Sequence, residues 1–227
     1  KIEFIPFTST KLSKNNFLER VRAFPLLTAS TIKSIGILGK IKPDVFVSFG
    51  GYLAVPVTFA SWFMRVPIIP HEQTRTSGIA SKLISKLSDK VAVSYPESIK
   101  YFPKGKTHLT GSLIRKKILS KNNPQPKWIN KTQKQPILYI TGGSQGSEII
   151  NHTTAQIIRI LTKDWTVIHQ CGNPTKTRNY KKELTKVKNK LPKDNRNNYY
   201  IKEWLNENDL AWVYSNTKAM VSRAGAN

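Results

Sequence analysis

The chain has 227 residues, of which 39% are hydrophobic and 10% aromatic, a composition that argues against disorder and suffices for one large or two modest domains. Its 37 basic and 13 acidic residues give a formal charge of +24, which favours an anionic partner: nucleic acid, an anionic membrane or a nucleotide-sugar diphosphate. An A/T-rich coding sequence would produce the same excess of Lys, Asn and Ile, so charge alone identifies no partner. The single cysteine, Cys171, excludes an intrachain disulfide and indicates a reducing compartment.

Short apolar segments alternate with helical patterns in the first half of the chain, which predicts an α/β domain with a mostly parallel sheet. Strands are predicted at 2–6, 44–49, 66–70, 90–94 and 108–110. Helices are predicted at 17–41 with a break near Pro25, after Gly50-Gly51 and through Trp62, and at about 77–87. The charge-free stretch 45–64 is long enough to cross a bilayer, but its glycines and Pro56 favour a strand, a turn and a buried helix.

The composition changes to Lys, Asn, Gln and Pro between residues 120 and 136, which indicates a basic linker. The α/β pattern then restarts, with strands predicted at 137–141, 166–169, 199–201 and 219–222. The helices between them are one ending near Leu161, a Lys-rich one, and one around Leu210. The predicted domains are therefore 1–119 and 137–227. Because the chain starts at Lys1 and stops within a glycine-containing stretch, we expect both domains to be incomplete.

Three glycine turns follow predicted strands. The first, Gly50-Gly51-Tyr52, ends the strand 44–49; the second lies in ILYITGGSQGS, residues 137–147; the third, 223–227, follows the last strand. In ITGGSQGS, glycines would let backbone N–H groups approach an anion at a helix N-terminus, although a plain tight turn explains the same residues equally well. Three such turns at strand carboxyl ends indicate one ligand crevice.

His71 and Glu72 follow the predicted strand 66–70, where they would supply or orient a general base; a structural hydrogen-bonding cluster is the equal alternative. His169 also ends a strand, and we expect backbone groups to satisfy its ring. The sequence has neither a Cys/His spacing for zinc nor an Asp-x-Asp pair, so no metal or cofactor is expected. The charge of a leaving diphosphate would then be stabilised by helix ends and basic side chains.

Five motifs occur together in an order and spacing that resemble the MurG-type transferases of bacterial peptidoglycan synthesis. They are KPDVFVSFGGY (42–52), PIIPHEQ (67–73), ITGGSQGS (140–147), VIHQCG (167–172) and VSRAGAN (221–227). The resemblance covers about 42–227, and 1–41 fits only loosely. It implies two Rossmann-like domains of the glycosyltransferase B type, with UDP-N-acetylglucosamine bound mainly by the second domain.

The resemblance also implies roles for individual residues. Ser144 would contact the donor phosphates, and Gln145 beside it would also bind the substrate. Arg115 would lie near the diphosphate, and the backbone of Ile201 would read the uracil. Ala226 and Asn227 would open a ribose-binding loop. In the first domain, which would face the acceptor, Gly50, Gly51 and Tyr52 would form the acceptor-side loop. The reaction would be inverting: the 4-hydroxyl of N-acetylmuramic acid on an undecaprenyl-pyrophosphoryl peptide attacks the anomeric carbon of the donor, and UDP leaves.

Two departures from the family pattern are visible. In the family, an asparagine that faces the sugar follows HEQ; here that position is Thr74. The family's stretch G-N-P-V-R corresponds to residues 111–115, which keep the arginine, Arg115, but lack the proline. The family's glycine-rich loop with its histidine, the main candidate base, is expected upstream of Lys1, and a ribose-binding glutamate beyond Asn227. The 227 residues alone are therefore expected to be inactive.

The resemblance further implies a peripheral enzyme on the cytoplasmic face of the bacterial cell membrane, attracted by basic residues around an apolar patch. Phe17, Phe24, Leu27 and Trp62 are candidates for that patch or, alternatively, for the core. Two other functions stay open: another sugar-nucleotide enzyme of the same fold, such as an epimerase, and a basic nucleic-acid-binding protein. No nucleic-acid-binding module is recognisable, so nucleic acid is not the expected partner.

Overall fold

The computed structural model describes residues 3–7, 17–120, 122–130, 135–175 and 177–225, with the backbone alone for 17–24. The chain divides into two compact units, Lys1–Leu113 and Ile114–Gly225. Each unit contains a parallel sheet of four strands with helices between them, so the predicted α/β fold is confirmed.

The first unit alternates helices and strands. In chain order these are α1 (Phe17–Ile41), β1 (Phe46–Ser48), α2 (Ala54–Phe63), β2 (Ile68–Glu72), α3 (Ile79–Leu87), β3 (Val91–Val93), a 3-10 helix (Pro96–Tyr101) and β4 (Thr107–Leu109). The sheet order is β1-β2-β3-β4, and every pairing is parallel. All four carboxyl ends therefore lie along one edge of the sheet, where ligands of open α/β sheets bind.

The core of the first unit lies between β2 and the helices α2 and α3. Val55, Ile68, Ala80 and Ile84 form one buried cluster, and Val91, Val93 and Phe102 form another. The α2 sequence has no charged residue, and its Val55 lies in this core, with Ala54 and Phe59 packed against it. The charge-free stretch 45–64 thus forms a strand, a turn and a helix, as predicted. Among the described residues, no helix is long and apolar enough to span a membrane.

The second unit begins with a 3-10 helix (Lys116–Leu119). Then follow β5 (Ile137–Thr141), α4 (Glu148–Asp164), β6 (Thr166–Gln170), α5 (Tyr180–Asn189), α6 (Lys193–Asn197), β7 (Tyr199–Lys202), α7 (Glu207–Asn216) and β8 (Thr217–Ser222). The sheet order β7-β6-β5-β8 is again all parallel. The chain moves outward from β5 to β7 and then returns to the other side of β5. The loop after β5 therefore lies at the point where the strand order reverses.

Burial explains the sequence of the second sheet. Every residue of β5 and β6 is buried, as expected for central strands covered on both faces. One cluster on this sheet contains Tyr139, Ile168 and Val213, and a second contains Ile158, Val167 and Tyr199.

Three expectations differ from the structure. Residues 3–7 form no strand, and Phe4 is 86% exposed, because no described strand pairs with this segment. Helix α1 continues through Pro25; a proline ring removes one helical hydrogen bond and bends a helix without necessarily ending it. His71 and Glu72 do not follow the strand but are the last two residues of β2.

The segment 120–136 was predicted as a linker from its composition. In its described part, Ile129 is buried in the core of the second unit and Trp128 packs against the same cluster. The two compact units divide between Leu113 and Ile114, ahead of the predicted boundary. The limits 1–119 and 137–227 stay a prediction.

Candidate functional site

The carboxyl edge of the first sheet holds His71, which is 5% exposed. Its Nε2 lies 3.2 Å from the carbonyl oxygen of Gly111, in the segment after β4. A carbonyl only accepts, so Nε2 carries a proton, and in the neutral ring Nδ1 has the lone pair. Within the described chain, Nδ1 has no hydrogen-bond partner. The ring of Phe49 meets the imidazole edge-on, with 5.9 Å between the centroids. A buried imidazole with one free nitrogen is equipped to accept a proton.

Glu72 holds Thr74 rather than His71. The backbone N–H and the side-chain hydroxyl of Thr74 both lie within hydrogen-bond distance of Glu72 Oε1, at 3.1 and 2.8 Å. The Ser98 hydroxyl donates to the Thr74 carbonyl at 2.7 Å. Thr74 is exposed, and its hydroxyl also lies 2.5 Å from the Thr76 carbonyl. Because its one proton is directed at these acceptors, the hydroxyl oxygen is suited to accept a hydrogen bond from a ligand.

Gly50, Gly51 and Tyr52 form the turn between β1 and α2, on the same edge of the sheet as His71. The Gly50 N–H donates to the Ser48 hydroxyl at 3.1 Å, which tightens this turn. Tyr52 is 40% exposed, so its ring is accessible at that edge. The structure therefore brings the predicted acceptor-side loop and His71 to one edge of the first sheet.

The carboxyl edge of the second sheet holds the glycine loop, residues 142–146, which leads from β5 into α4. Gly146 has a φ of 77°, and a Cβ atom there would overlap the carbonyl oxygen of Cys171. Gly172, with a φ of 92°, meets the backbone of Gly146 in the same way. Only glycine permits this contact, which places the loop against the segment after β6.

Ser144 and Gln145 are exposed at the tip of the glycine loop. Ser147 precedes the first turn of α4, and its side chain does not cap the helix. The N-terminal N–H groups of this 17-residue helix carry a positive partial charge. Exposed hydroxyl and amide groups beside such a terminus can bind phosphate oxygens.

A buried polar network lies beneath the glycine loop. His169, fully buried, has Nε2 at 2.9 Å from Asn151 Oδ1 and Nδ1 at 2.9 Å from the Tyr199 hydroxyl. Asn151 Nδ2 donates to the Cys171 carbonyl at 2.9 Å. Burial lowers the pKa of His169 to about 4, so its ring is neutral near pH 7. Burial also raises the pKa of the Cys171 thiol to about 11, which makes it an unreactive buried residue.

The expectation for His169 was wrong in its partners, because side chains and not backbone groups satisfy the ring. Sequence reasoning missed Asn151 and Tyr199 altogether. A polar residue in the first turn of the helix after the glycine loop was the one available signal for Asn151. Tyr199 gave none, since a tyrosine at the start of a strand is typical of plain core packing.

The remaining predicted site residues belong to the second unit or lie outside the described residues. Arg115 is exposed and immediately precedes the 3-10 helix Lys116–Leu119. In that helix, Lys117 Nζ donates a hydrogen bond to Asn208 Oδ1 at 2.9 Å. Ile201 is half-buried in β7 and packs against the cluster around Tyr199. Ala226 and Asn227 lie outside the described residues. In the part of the chain that the structure describes, no group of three His, Cys, Asp or Glu side chains could hold a metal ion.

Comparison with known proteins identifies related sequences over both units. The glycosyltransferase family 28 N-terminal domain matches residues 1–93, and the glycosyltransferase family 28 C-terminal domain matches residues 137–227. A UDP-N-acetylglucosamine--N-acetylmuramyl-(pentapeptide) pyrophosphoryl-undecaprenol N-acetylglucosamine transferase of Clostridium perfringens is 34% identical over 192 residues, which are 84% of this chain and 50% of the relative. The chain thus spans about half the length of this relative.

Solved structures share the fold. MurG of Acinetobacter baumannii superposes with a TM-score of 0.58 and 21% identity over 90% of this chain and 54% of that chain. The UDP-GlcNAc 2-epimerase from Neisseria meningitidis, bound to UDP-GlcNAc, gives a TM-score of 0.57 with 15% identity over 95% of this chain and 62% of that chain. At these identities the likeness concerns the fold alone.

Proposed function

Since two models of one family together match most of its length, this chain belongs to glycosyltransferase family 28, and we propose that it is part of the N-acetylglucosamine transferase of peptidoglycan synthesis. The observation that carries the proposal is the glycine loop 142–146, which precedes α4 at the point where the strand order reverses. Loops in this position are suited to bind phosphate groups. The 34% identity to a transferase with that activity supports the same reaction.

In the proposed reaction, the second unit binds UDP-N-acetylglucosamine. Ser144, Gln145 and the first N–H groups of α4 bind the diphosphate, and Arg115 adds a positive charge. The backbone of Ile201 binds the uracil, and Ala226 with Asn227 leads toward the ribose. As the anomeric carbon is attacked, negative charge moves onto the UDP oxygen, where these donors stabilise it. No metal ion or cofactor takes part in the proposed step.

The first unit is proposed to bind the lipid-linked N-acetylmuramyl peptide. Within this chain, His71 is the candidate base for the 4-hydroxyl, because no described residue bonds its Nδ1 and its Nε2–H is anchored on the Gly111 carbonyl. Glu72 is assigned a positioning role through Thr74, whose hydroxyl it binds. The loop Gly50–Tyr52 completes the acceptor side.

We also propose that the protein acts at the cytoplasmic face of the bacterial membrane, since the acceptor is a polyprenyl lipid. Trp62, 58% exposed, and Phe63, 72% exposed, are available for an apolar contact on the first unit. Leu27 packs against the core cluster around Val55 and is less suited to this role. The side chains of Phe17 and Phe24 lie outside the described part of the structure.

Two alternatives have a specific basis. A UDP-N-acetylglucosamine 2-epimerase has the same fold, so a different reaction on the same donor is the second candidate. The charge of +24 keeps a nucleic-acid partner as the third. The transferase is favoured because the 34% identity is to a protein of that activity.

Thermal unfolding and transfer assays on the protein encoded by the complete gene test the proposal. UDP-N-acetylglucosamine at about 100 times its Kd should raise the free energy of unfolding by about 2.7 kcal/mol, while short DNA at physiological salt should not. Ser144→Ala should weaken donor binding about tenfold, and Ser215→Ala on α7 should not change it. Conversion of UDP-N-acetylglucosamine to its epimer, with no transfer to the lipid-linked acceptor, would contradict the transferase proposal and favour the epimerase.

A further inference from the structure

The buried network beneath the glycine loop connects three elements of the second unit. Tyr199 begins β7, His169 lies in β6, and Asn151 lies in the first turns of α4. All three side chains are almost fully buried, with exposures of 0%, 0% and 2%. Each of the three hydrogen bonds measures 2.9 Å between heavy atoms.

The acceptor at one end fixes the direction of every hydrogen bond. The Cys171 carbonyl only accepts, so Asn151 turns its NH2 group toward it and its Oδ1 toward His169. Nε2 of His169 must therefore carry the proton, which leaves Nδ1 as an acceptor for the Tyr199 hydroxyl. A neutral imidazole offers one donor and one acceptor, so all three hydrogen bonds form together in a single arrangement of protons.

The two ends of the network lie beside the two parts of the proposed donor site. At one end, the carbonyl of Cys171 is the atom against which Gly146 of the glycine loop packs. At the other end, Tyr199 is in β7, two residues before Ile201. The network thus joins the phosphate-binding loop to the strand proposed to bind the base.

We propose that Asn151, His169 and Tyr199 are positioning residues that hold the glycine loop at a fixed distance from β7, so that the diphosphate and the base of one nucleotide are bound together. None of the three contacts the ligand; they act through Cys171, Gly146 and the strand. The identity of the ligand rests on the proposed function, whereas the immobilisation of the loop does not.

The consequence for ligands is specific. A nucleoside diphosphate spans both ends and loses affinity when the spacing between them fluctuates. Uridine or pyrophosphate alone occupies one end and is insensitive to that spacing. A general loss of packing would instead weaken the binding of the nucleoside diphosphate, uridine and pyrophosphate alike, or of none of them.

The test uses Tyr199→Phe, which removes one oxygen, and Asn151→Ala, in the protein encoded by the complete gene. Thr162→Val is the matched control: Thr162 is equally buried on α4 and donates to the Ile158 carbonyl, but it lies outside the network. We expect amide exchange at Gly146 and Gly172 in the ligand-free protein to accelerate about tenfold in both network variants and not in the control.

Binding and kinetics supply the second readout. We expect the Kd for UDP and the KM for the sugar nucleotide to rise about tenfold in Tyr199→Phe, while kcat and the Kd for uridine change less than about twofold. Unchanged exchange at Gly146 in Tyr199→Phe would overturn the inference, as would an equal loss of uridine binding. If exchange accelerates but the wild-type protein binds no UDP-sugar, the proposed function fails while the positioning of the loop stands.

Discussion

Two buried histidines in this protein have opposite surroundings. Both nitrogens of His169 are hydrogen-bonded to side chains, and its ring is sealed in the core. His71 is also buried, but among the described residues only its Nε2 has a partner, the Gly111 carbonyl. The first arrangement fixes structure, and the second leaves a nitrogen free for chemistry. Partners, not residue type, distinguish the two roles.

The buried His169 should make stability depend on pH. Its pKa of about 4 lies below that of a histidine in the unfolded chain, about 6.5, so the unfolded state binds more protons between these values. The stabilisation that the neutral His169 contributes to the free energy of unfolding is fully present above pH 6.5. It is lost as the pH falls toward 4, and the loss amounts to about 3 kcal/mol.

Urea unfolding of the wild type and of His169→Gln at pH 7, 5.5 and 4.5 measures this dependence. The wild type should lose stability more steeply than the variant, because glutamine binds no proton. Carboxylates titrate in both proteins and cancel in the comparison. Parallel curves for the two proteins would contradict the assignment.

For individual residues, the sequence predicted their position in the fold better than it predicted their hydrogen-bond partners. Placing His71 and Ser144 at strand carboxyl ends required only the strand pattern, which is local. That Glu72 binds Thr74, or that His169 meets Tyr199, depends on contacts between distant segments. A single sequence contains no direct record of such contacts.

At the scale of elements, the glycine loop joins its strand and helix through close backbone packing. Gly143 and Gly146 both have a positive φ, but their surroundings differ. Open space surrounds a Cβ at Gly143, whereas the Cys171 carbonyl occupies that position at Gly146. The two glycines therefore form a matched pair for mutation.

Gly143→Ala should cost about 1–2 kcal/mol of stability, the penalty for an L-residue with a positive φ. Gly146→Ala should cost clearly more, because the loop or the segment after β6 must also move. Chemical denaturation of the two variants measures the difference. Equal losses would show that the contact between Gly146 and Cys171 is readily relaxed.

The elements that the sequence predicted well are those buried on both sides. Strand β5 spans the predicted residues 137–141, since continuous apolar burial gives a strong signal. The predicted strand 2–6 is not formed in its described part, where no partner strand is present. The short helices Lys116–Leu119 and Lys193–Asn197 were missed, because a helix of one turn has no periodicity to detect.

At the scale of the whole molecule, the charge of +24 is the dominant property. If the proposed membrane location is correct, this charge attracts the protein to anionic lipid before any apolar contact forms. Attraction of this kind is screened within about 8 Å at physiological ionic strength. Binding should therefore respond to both salt and lipid composition.

Co-sedimentation with vesicles tests this expectation. Vesicles containing phosphatidylglycerol should bind the protein severalfold more tightly than pure phosphatidylcholine, and 0.5 M salt should remove most of the difference. Replacing both Trp62 and Phe63 with Ser should weaken the binding that remains at high salt. Binding that ignores both salt and anionic lipid would exclude the electrostatic contribution.

The reactivity of Cys171 can serve as a probe of local opening in the second unit. It is the single sulfhydryl of the sequence, it is fully buried beneath the glycine loop, and its high pKa keeps it protonated. A thiol reagent such as a chromogenic disulfide reaches it only when the segment after β6 opens. The rate of colour development therefore reports how often the proposed donor site opens, and the measurement requires no mutation.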